Sequence, residues 1–268
     1  MAEVARAARR VDVSIDGGLA TIVLNQPSRR NAMSVDMWDR LGQLVAGLDR
    51  DPTARVLIIR GAGTQAFSAG ADISEFEALR STPEKALAYN RRVADAVAPL
   101  HHARKPLIAM VYGFCVGGGC EIAISCDLRI AAEDAVFGIP AARLGISYEY
   151  ADFKRLCDIV GPANAKFIFF TGDPRIPAHK AYDMGLVNEV VPTERLESRV
   201  RELARMIADN APSSLFWAKR AIELVLRDPG LTTVPDGAEQ AAELFGAEDY
   251  REGVAAFLEK RKPRFKWA

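Results

Sequence analysis

Two apolar runs constrain this chain more than anything else in it. ARVLIIRG (54–61) and PLIAMVYG (106–113) are short and almost unbroken, as strands buried on both faces are. Each leads into a glycine-rich stretch, SAGAD (68–72) after the first and GGGCE (117–121) after the second. Loops that follow neighbouring buried strands share one edge of a sheet, where α/β folds bind ligands. Glycine and alanine let a ligand approach the backbone closely. The second stretch also opens a helix, whose first N–H groups lack intrahelical partners and carry partial positive charge. One N–H from each loop, aimed at a common point, would make an oxyanion hole. Either loop alone reads better as a tight turn chosen for packing.

The remaining pattern gives an α/β fold. VDVSI (11–15) and ATIVL (20–24) read as a hairpin across Asp16-Gly17-Gly18, and Ser34 reads as the N-cap of a helix through Leu48. Residues 64–72 read as a loop, and Thr82-Pro83 opens a helix to about Leu100. DLRIAA (127–132) is a third strand, so strand, crossover helix, strand, short helix and strand follow in order. Helices are expected near 162–170, 178–184, 193–209, 213–227 and 236–260, with a short strand at 187–191.

Composition excludes several classes of partner. Lys plus Arg and Asp plus Glu are 35 each, so the formal net charge is zero. That argues against nucleic acid and against an anionic membrane surface, while leaving room for a local phosphate site. The most apolar stretch, 106–124, is interrupted by Glu121 and several glycines, short of the ~20 apolar residues of a membrane span. MAEVARAARR is basic without an apolar core and reads as a frayed tail. Cys115, Cys120, Cys126 and Cys157 form no CxxC pair, so no metal is expected, and reduced thiols point to the cytoplasm. The first three read as small packing residues, and His101, His102 and His179 as solvent-facing or capping ones.

FSAGADI and MVYGFCVGGGCEIAISCDLRIA resemble the two signature segments of the enoyl-CoA hydratase/isomerase (crotonase) superfamily. The similarity continues through NQPSRRNAMS, VFGIPAARLGI, TGDPRIPAHKAYDMGLVNEVVP and REGVAAFLEKRKPRF, over essentially the whole chain. It implies an α/β spiral of ββα units over 1–195 and a helical C-terminal oligomerisation region over 196–268. It also implies a homotrimer or a dimer of trimers, and a lyase of the enoyl-CoA hydratase type acting on acyl-CoA thioesters in fatty acid metabolism. No cofactor is implied beyond the coenzyme A of the substrate. Carried over by motif, Ala71 and Gly118 supply the oxyanion-hole N–H groups. Ala69, Gly70, Ala71, Asp72 and Ile73 line the adenine and pantetheine, with Gly117 beside Gly118. Arg29 matches a basic position near the phosphates, and Lys260 one that reaches the 3′-phosphate of a neighbouring subunit's coenzyme A.

The chain also departs from that pattern. Hydratases of the superfamily use two glutamates: one after the glycine turn, matching Glu121, and one in a QPE segment, where this chain has Ile139-Pro140-Ala141. The glycine-rich loop that usually follows is replaced by SYEYADFKRL (147–156). Members that only isomerise a double bond rely on the missing glutamate, so isomerisation is disfavoured. In decarboxylases acting on methylmalonyl-CoA a tyrosine matches Tyr148, although they carry a histidine where this chain has Ala71. Decarboxylation needs no base, only an oxyanion hole and a group that orients the leaving carboxylate. In dehalogenase-type members a nucleophilic aspartate matches Glu149, but Tyr148, Glu149 and Tyr150 also read as a polar loop with one aromatic anchored in the core. Three functions remain: a hydratase-like enzyme using Glu121, a decarboxylase using Tyr148, and a catalytically weak acyl-CoA binding protein. With Ala141 in place, hydration of crotonyl-CoA is expected to fall below that of two-glutamate members by the ~10²–10⁴ that one acid–base group contributes. Assays run in parallel check this, and an equal rate assigns the missing role to Glu149 or Asp152.

Overall fold

The computed structural model describes residues 11–233 and 237–267. The reading of 1–10 as a tail, and the start of the helix expected over 236–260, lie outside them. β1 (Val11–Asp16) and β2 (Leu19–Leu24) form the expected antiparallel hairpin. Gly17 and Gly18 sit at φ 57° and 85°, the left-handed backbone that a two-residue hairpin turn requires. The Ser34 side chain accepts the Met37 N–H and caps α1 (Val35–Arg50).

The chain then repeats one unit: a long strand, a three-residue strand, and helix. The first turn is β3 (Val56–Gly61), β4 (Ala66–Ser68), the short α2 (Phe76–Arg80) and α3 (Pro83–His102). The second is β5 (Leu107–Val111), β6 (Phe114–Val116) and α4 (Gly118–Ile124). The third is β7 (Leu128–Ala132), β8 (Val136–Gly138) and α5 (Tyr150–Thr171). β9 (Ile176–Pro177), α6 (Ala178–Asp183), β10 (Glu189–Val191), α7 (Leu196–Ala208), α8 (Pro212–Arg227), α9 (Ala238–Glu243) and α10 (Glu248–Leu258) complete it. The long strands and the three-residue β10 form one sheet in the order β1-β2-β3-β5-β7-β10, parallel from β2 onward. The short ones form a second, β4-β6-β8-β9.

Both faces of the large sheet are buried at β3 and β5, which is why those strands read as unbroken apolar runs. Leu57, Ile59, Leu107, Ala109 and Val111 join α1, α3 and the small sheet in one cluster. Val56, Ile58, Ile108 and Met110 face the other way, onto Leu196, Val200, Ala204 and Ala208 of α7. The helices beyond differ: Ile222, Phe245, Phe257 and Leu258 are exposed. None of the helices among the described residues is long and apolar enough to cross a membrane.

Three readings need correction. Residues 64–72 are not all loop, since Ala66–Ser68 is β4, and Phe114–Val116, between the strand read at 106–113 and the glycine turn, is a further strand, β6; both are too short to show an alternating pattern. The helix expected at 162–170 begins at Tyr150 and breaks at Gly161, where φ is 74°. The helix expected at 236–260 is two, α9 and α10, parted by a 3-10 turn at Leu244–Gly246.

α1 crosses α3 at Gly42, where a Cβ would stand 2.6 Å from the Ala96 carbonyl oxygen. Gly42→Ala should therefore be destabilising. The overpacking cost of ~1–3 kcal/mol outweighs a helix-propensity gain of about 1 kcal/mol. Urea unfolding measures the sign, and net stabilisation would mean that the crossing is looser than described.

Candidate active site

The small sheet brings the two glycine-rich stretches together. β4 pairs in parallel with β6, Ala66 opposite Phe114 and Ser68 opposite Cys115, so SAGAD and GGGCE leave adjacent strands side by side. Their backbones then touch. A Cβ on Gly70 would lie 2.8 Å from Val116 O and 3.0 Å from Gly118 N, and one on Gly119 would lie 2.4 Å from Ser68 O.

The segment before α1 holds the first loop in place. Ala69 N–H donates to Arg30 O, Met33 N–H to Gly70 O, and Asp72 N–H to Met33 O. The Asn31 side chain, almost wholly buried, donates to Ala62 O and Ala66 O and accepts the Gln26 N–H. The Met33–Ala71 bridge uses the N–H groups of Met33 and Asp72 and leaves that of Ala71 out. Gly118 begins α4, so its N–H has no intrahelical acceptor. Neither the Ala71 nor the Gly118 N–H donates to a protein acceptor among the described residues. The pair is thus free to bind one oxygen.

Ala71 and Gly118 open onto a cavity of about 210 Å³, which Trp38, Glu121, Tyr148, Glu149 and Asp152 also line. Glu121 lies in the first turn of α4. That helix is tied down at its far end by buried Arg129, whose guanidinium donates to Ala123 O, Cys126 O and Leu186 O. Burial, helped by the negative charges of Asp152 and Glu149, pushes the Glu121 carboxyl up to about 8. Asp152 is also raised, again chiefly by burial. Burial and the charge of Glu121 raise the Tyr148 phenol, which packs edge-on to Phe169. Glu121, Tyr148, Ala71 and Gly118 therefore share one cavity.

The replaced loop is a helix start. Glu149 N-caps α5 and its N–H donates to Asp152 Oδ2. Tyr148 is the aromatic anchored in the core, whereas Tyr150 is exposed. Ala141 is buried and does not line the cavity.

Of the other motif positions, Arg29 lies beside the first loop, its Nη1 2.6 Å from Asp72 Oδ2 and 2.7 Å from Ser74 Oγ. Burial alone would raise the Asp72 carboxyl, but the hydrogen bonds from Ser74 and Arg29 hold it below the usual range. Ile73 is exposed and Gly117, at φ 56°, turns the chain into α4. Lys260 is exposed just past α10 and does not line the cavity. No three His, Cys, Asp or Glu side chains among the described residues converge as a metal site.

His101 corrects its reading as solvent-facing. It lines the cavity, with Nε2 2.7 Å from Ser125 Oγ. The Ser125 hydroxyl donates to Glu121 O, so His101 must be the donor from Nε2, leaving the lone pair on Nδ1. Burial, with the charge of Arg155 next, pushes this imidazole down to about 3, so it is neutral at physiological pH. No sequence pattern marks it, since only the path of α3 turns it inward.

An α/β spiral whose adjacent loops present two free backbone donors beside a buried glutamate defines a crotonase-type enzyme. Comparison with known proteins agrees. Residues 14–267 match the family described as enoyl-CoA hydratase/isomerase. The short-chain-enoyl-CoA hydratase of Clostridium acetobutylicum is 35% identical over 247 residues, 92% of this chain and 94% of that protein. The crotonyl-CoA hydratase of Syntrophomonas wolfei is 36% identical over 248 residues, with the same coverage of each chain. The crystal structure of an enoyl-CoA hydratase/carnithine racemase from Magnetospirillum magneticum superposes with TM-score 0.91 at 36% identity, over 97% of this chain and 96% of that one. The chain belongs to the enoyl-CoA hydratase/isomerase family.

The raised Glu121 carboxyl makes a stability prediction. Its folded value lies above its ordinary 4.5, so the contribution of its proton is complete below about pH 4.5 and is lost as pH rises through 8. Glu121→Gln stays neutral throughout. The stability of the variant relative to wild type should therefore grow across this window, by at most about 1.4 kcal/mol per pH unit. Urea unfolding over that range measures it, and a flat difference would mean that Glu121 ionises normally in the empty site.

Proposed function

We propose that the protein adds water across the double bond of a 2-enoyl-CoA thioester, with Glu121 and Asp152 as its two carboxylates. One observation carries this reading: Asp152 lines the same cavity as Ala71, Gly118 and Glu121. It offers this cavity a second carboxylate although Ala141 replaces the glutamate of the family pattern. Its Oδ2 accepts the Glu149 N–H, and its Oδ1 has no hydrogen-bond partner among the described residues.

The chemistry follows from the two environments. Glu121 holds its proton at neutral pH, and this reading gives Asp152 the part of the ionised carboxylate. Ionised Asp152 takes a proton from water as the water oxygen bonds to the β-carbon. The π electrons move toward the thioester carbonyl, whose developing charge the Ala71 and Gly118 N–H groups stabilise. Each such donor contributes roughly 2.7–4 kcal/mol. Glu121 then protonates the α-carbon, and a proton passing from Asp152 to Glu121 restores the starting state.

Tyr148 supports a second reading, decarboxylation of a methylmalonyl-CoA-like thioester, because its phenol lines the cavity too. Glu149 and Asp152 on the same cavity oppose a carboxylate on the α-carbon, so hydration is preferred. A protein that binds acyl-CoA without turnover remains the third.

Glu121→Gln and Asp152→Asn should each lower kcat for a short enoyl-CoA by about 10²–10⁴. Asp152→Asn keeps an oxygen for the cap and should stay within ~0.5 kcal/mol of wild-type stability. kcat/KM should fall above about pH 8 as Glu121 loses its proton. If Tyr148→Phe is the more damaging change and methylmalonyl-CoA loses CO₂, decarboxylation replaces this reading.

The exposed apolar residues of α8 to α10 are proposed to pack between copies in a trimer or a dimer of trimers, in the cytoplasm. Light scattering should give three or six times the 29.2 kDa chain mass, and a monomer would contradict the assembly.

A further inference from the structure

One cation in this cavity has no assigned work. Arg80 ends α2 and lines the cavity. Its guanidinium lies 4.7 Å from the ring centroid of Phe76 and 4.8 Å from that of Tyr89. The two rings meet edge to face, 6.1 Å apart and 70° to one another, so they form a corner that holds the flat group. Nη2 donates to Asn90 Oδ1 at 3.3 Å.

Arg80 has no carboxylate within ion-pair distance among the described residues. Arg29, Arg60 and Arg92 do, with Asp72, Glu197 and Asp39 respectively. A guanidinium has five N–H donors, and one of them is used here. The cavity is small, about 210 Å³, and its α3 wall runs from Tyr89 and Asn90 through Val93 to Val97 and His101. Arg80 is the one fixed positive charge on that lining, since His101 is neutral. Glu149 and Asp152 repel an anion from the α5 side and leave Arg80 as its seat.

We propose that the acyl group of the substrate is short and ends in a carboxylate, which sits on the Arg80 guanidinium. The substrate class is then the monothioester of a dicarboxylic acid with coenzyme A. This rests on the reading of the cavity as an acyl-CoA site. Arg80 positions the far end of the acyl group and takes no part in proton transfer. The same guanidinium chemistry would also fit a phosphate of coenzyme A, so the test separates the two.

Isothermal titration of the full chain with glutaryl-CoA, pentanoyl-CoA and free coenzyme A decides, without requiring turnover. Wild type should bind glutaryl-CoA about tenfold or more tightly than pentanoyl-CoA, the range expected for a hydrogen-bonded charge pair. Arg80→Met should bring the two to parity and leave pentanoyl-CoA and free coenzyme A unchanged, and Arg80→Lys should recover part of the preference. Equal binding of both thioesters by wild type would overturn the proposal. So would an Arg80→Met variant that loses free coenzyme A as strongly as glutaryl-CoA, since Arg80 would then serve a phosphate. A protein that binds neither thioester overturns the acyl-CoA reading as well, whereas equal binding overturns only this one.

Discussion

The site depends on a backbone-to-backbone contact. The Gly70 and Gly119 positions touch the opposite loop so closely that a single Cβ would meet Val116 O or Ser68 O inside van der Waals distance. That approach leaves the Ala71 and Gly118 N–H groups side by side and unused. It is enforced from two directions. The pairing of β4 with β6 sets the register, and the Gln26-to-Met33 segment clamps the first loop by main-chain and Asn31 hydrogen bonds. Donors fixed in this way need no reorganisation when charge develops on a bound oxygen, which is the source of their catalytic value.

The second requirement is a carboxyl that keeps its proton. Glu121 sits on a short helix whose last carbonyls are bound by the buried Arg129 guanidinium, so the helix cannot drift toward water. Burial and the acidic neighbours on α5 then raise its proton affinity. Those neighbours come from the capping chemistry of α5, where Asp152 both satisfies the Glu149 N–H and faces the cavity. One segment thus serves helix initiation and the electrostatics of the site.

Much of this is legible in the sequence. Unbroken apolar runs gave the two-faced sheet, Ser34 and Thr82-Pro83 gave two helix starts, and SAGAD and GGGCE gave the paired loops. Three-residue strands were not legible, because alternation needs more residues than Ala66–Ser68 or Phe114–Val116 contain. Tyr148 to Tyr150 read as a polar loop because the helix that Glu149 caps shows its apolar face only later, at Leu156 and Val160. His101 and Arg80 were missed because single polar residues on a helix face give no sign of facing a cavity rather than solvent. Asn31 carries a signal that was available, an Asn inside a turn-rich segment, but its carbonyl partners lie far along the chain.

The central claim is that Ala71 and Gly118 bind one thioester oxygen. A crystal structure of the protein with a short acyl-CoA tests it most directly. The account predicts that the thioester oxygen lies within about 3 Å of both backbone nitrogens, with the α-carbon beside Glu121. A thioester oxygen bound by neither nitrogen, or an acyl group outside the cavity lined by Glu121 and Asp152, would contradict it.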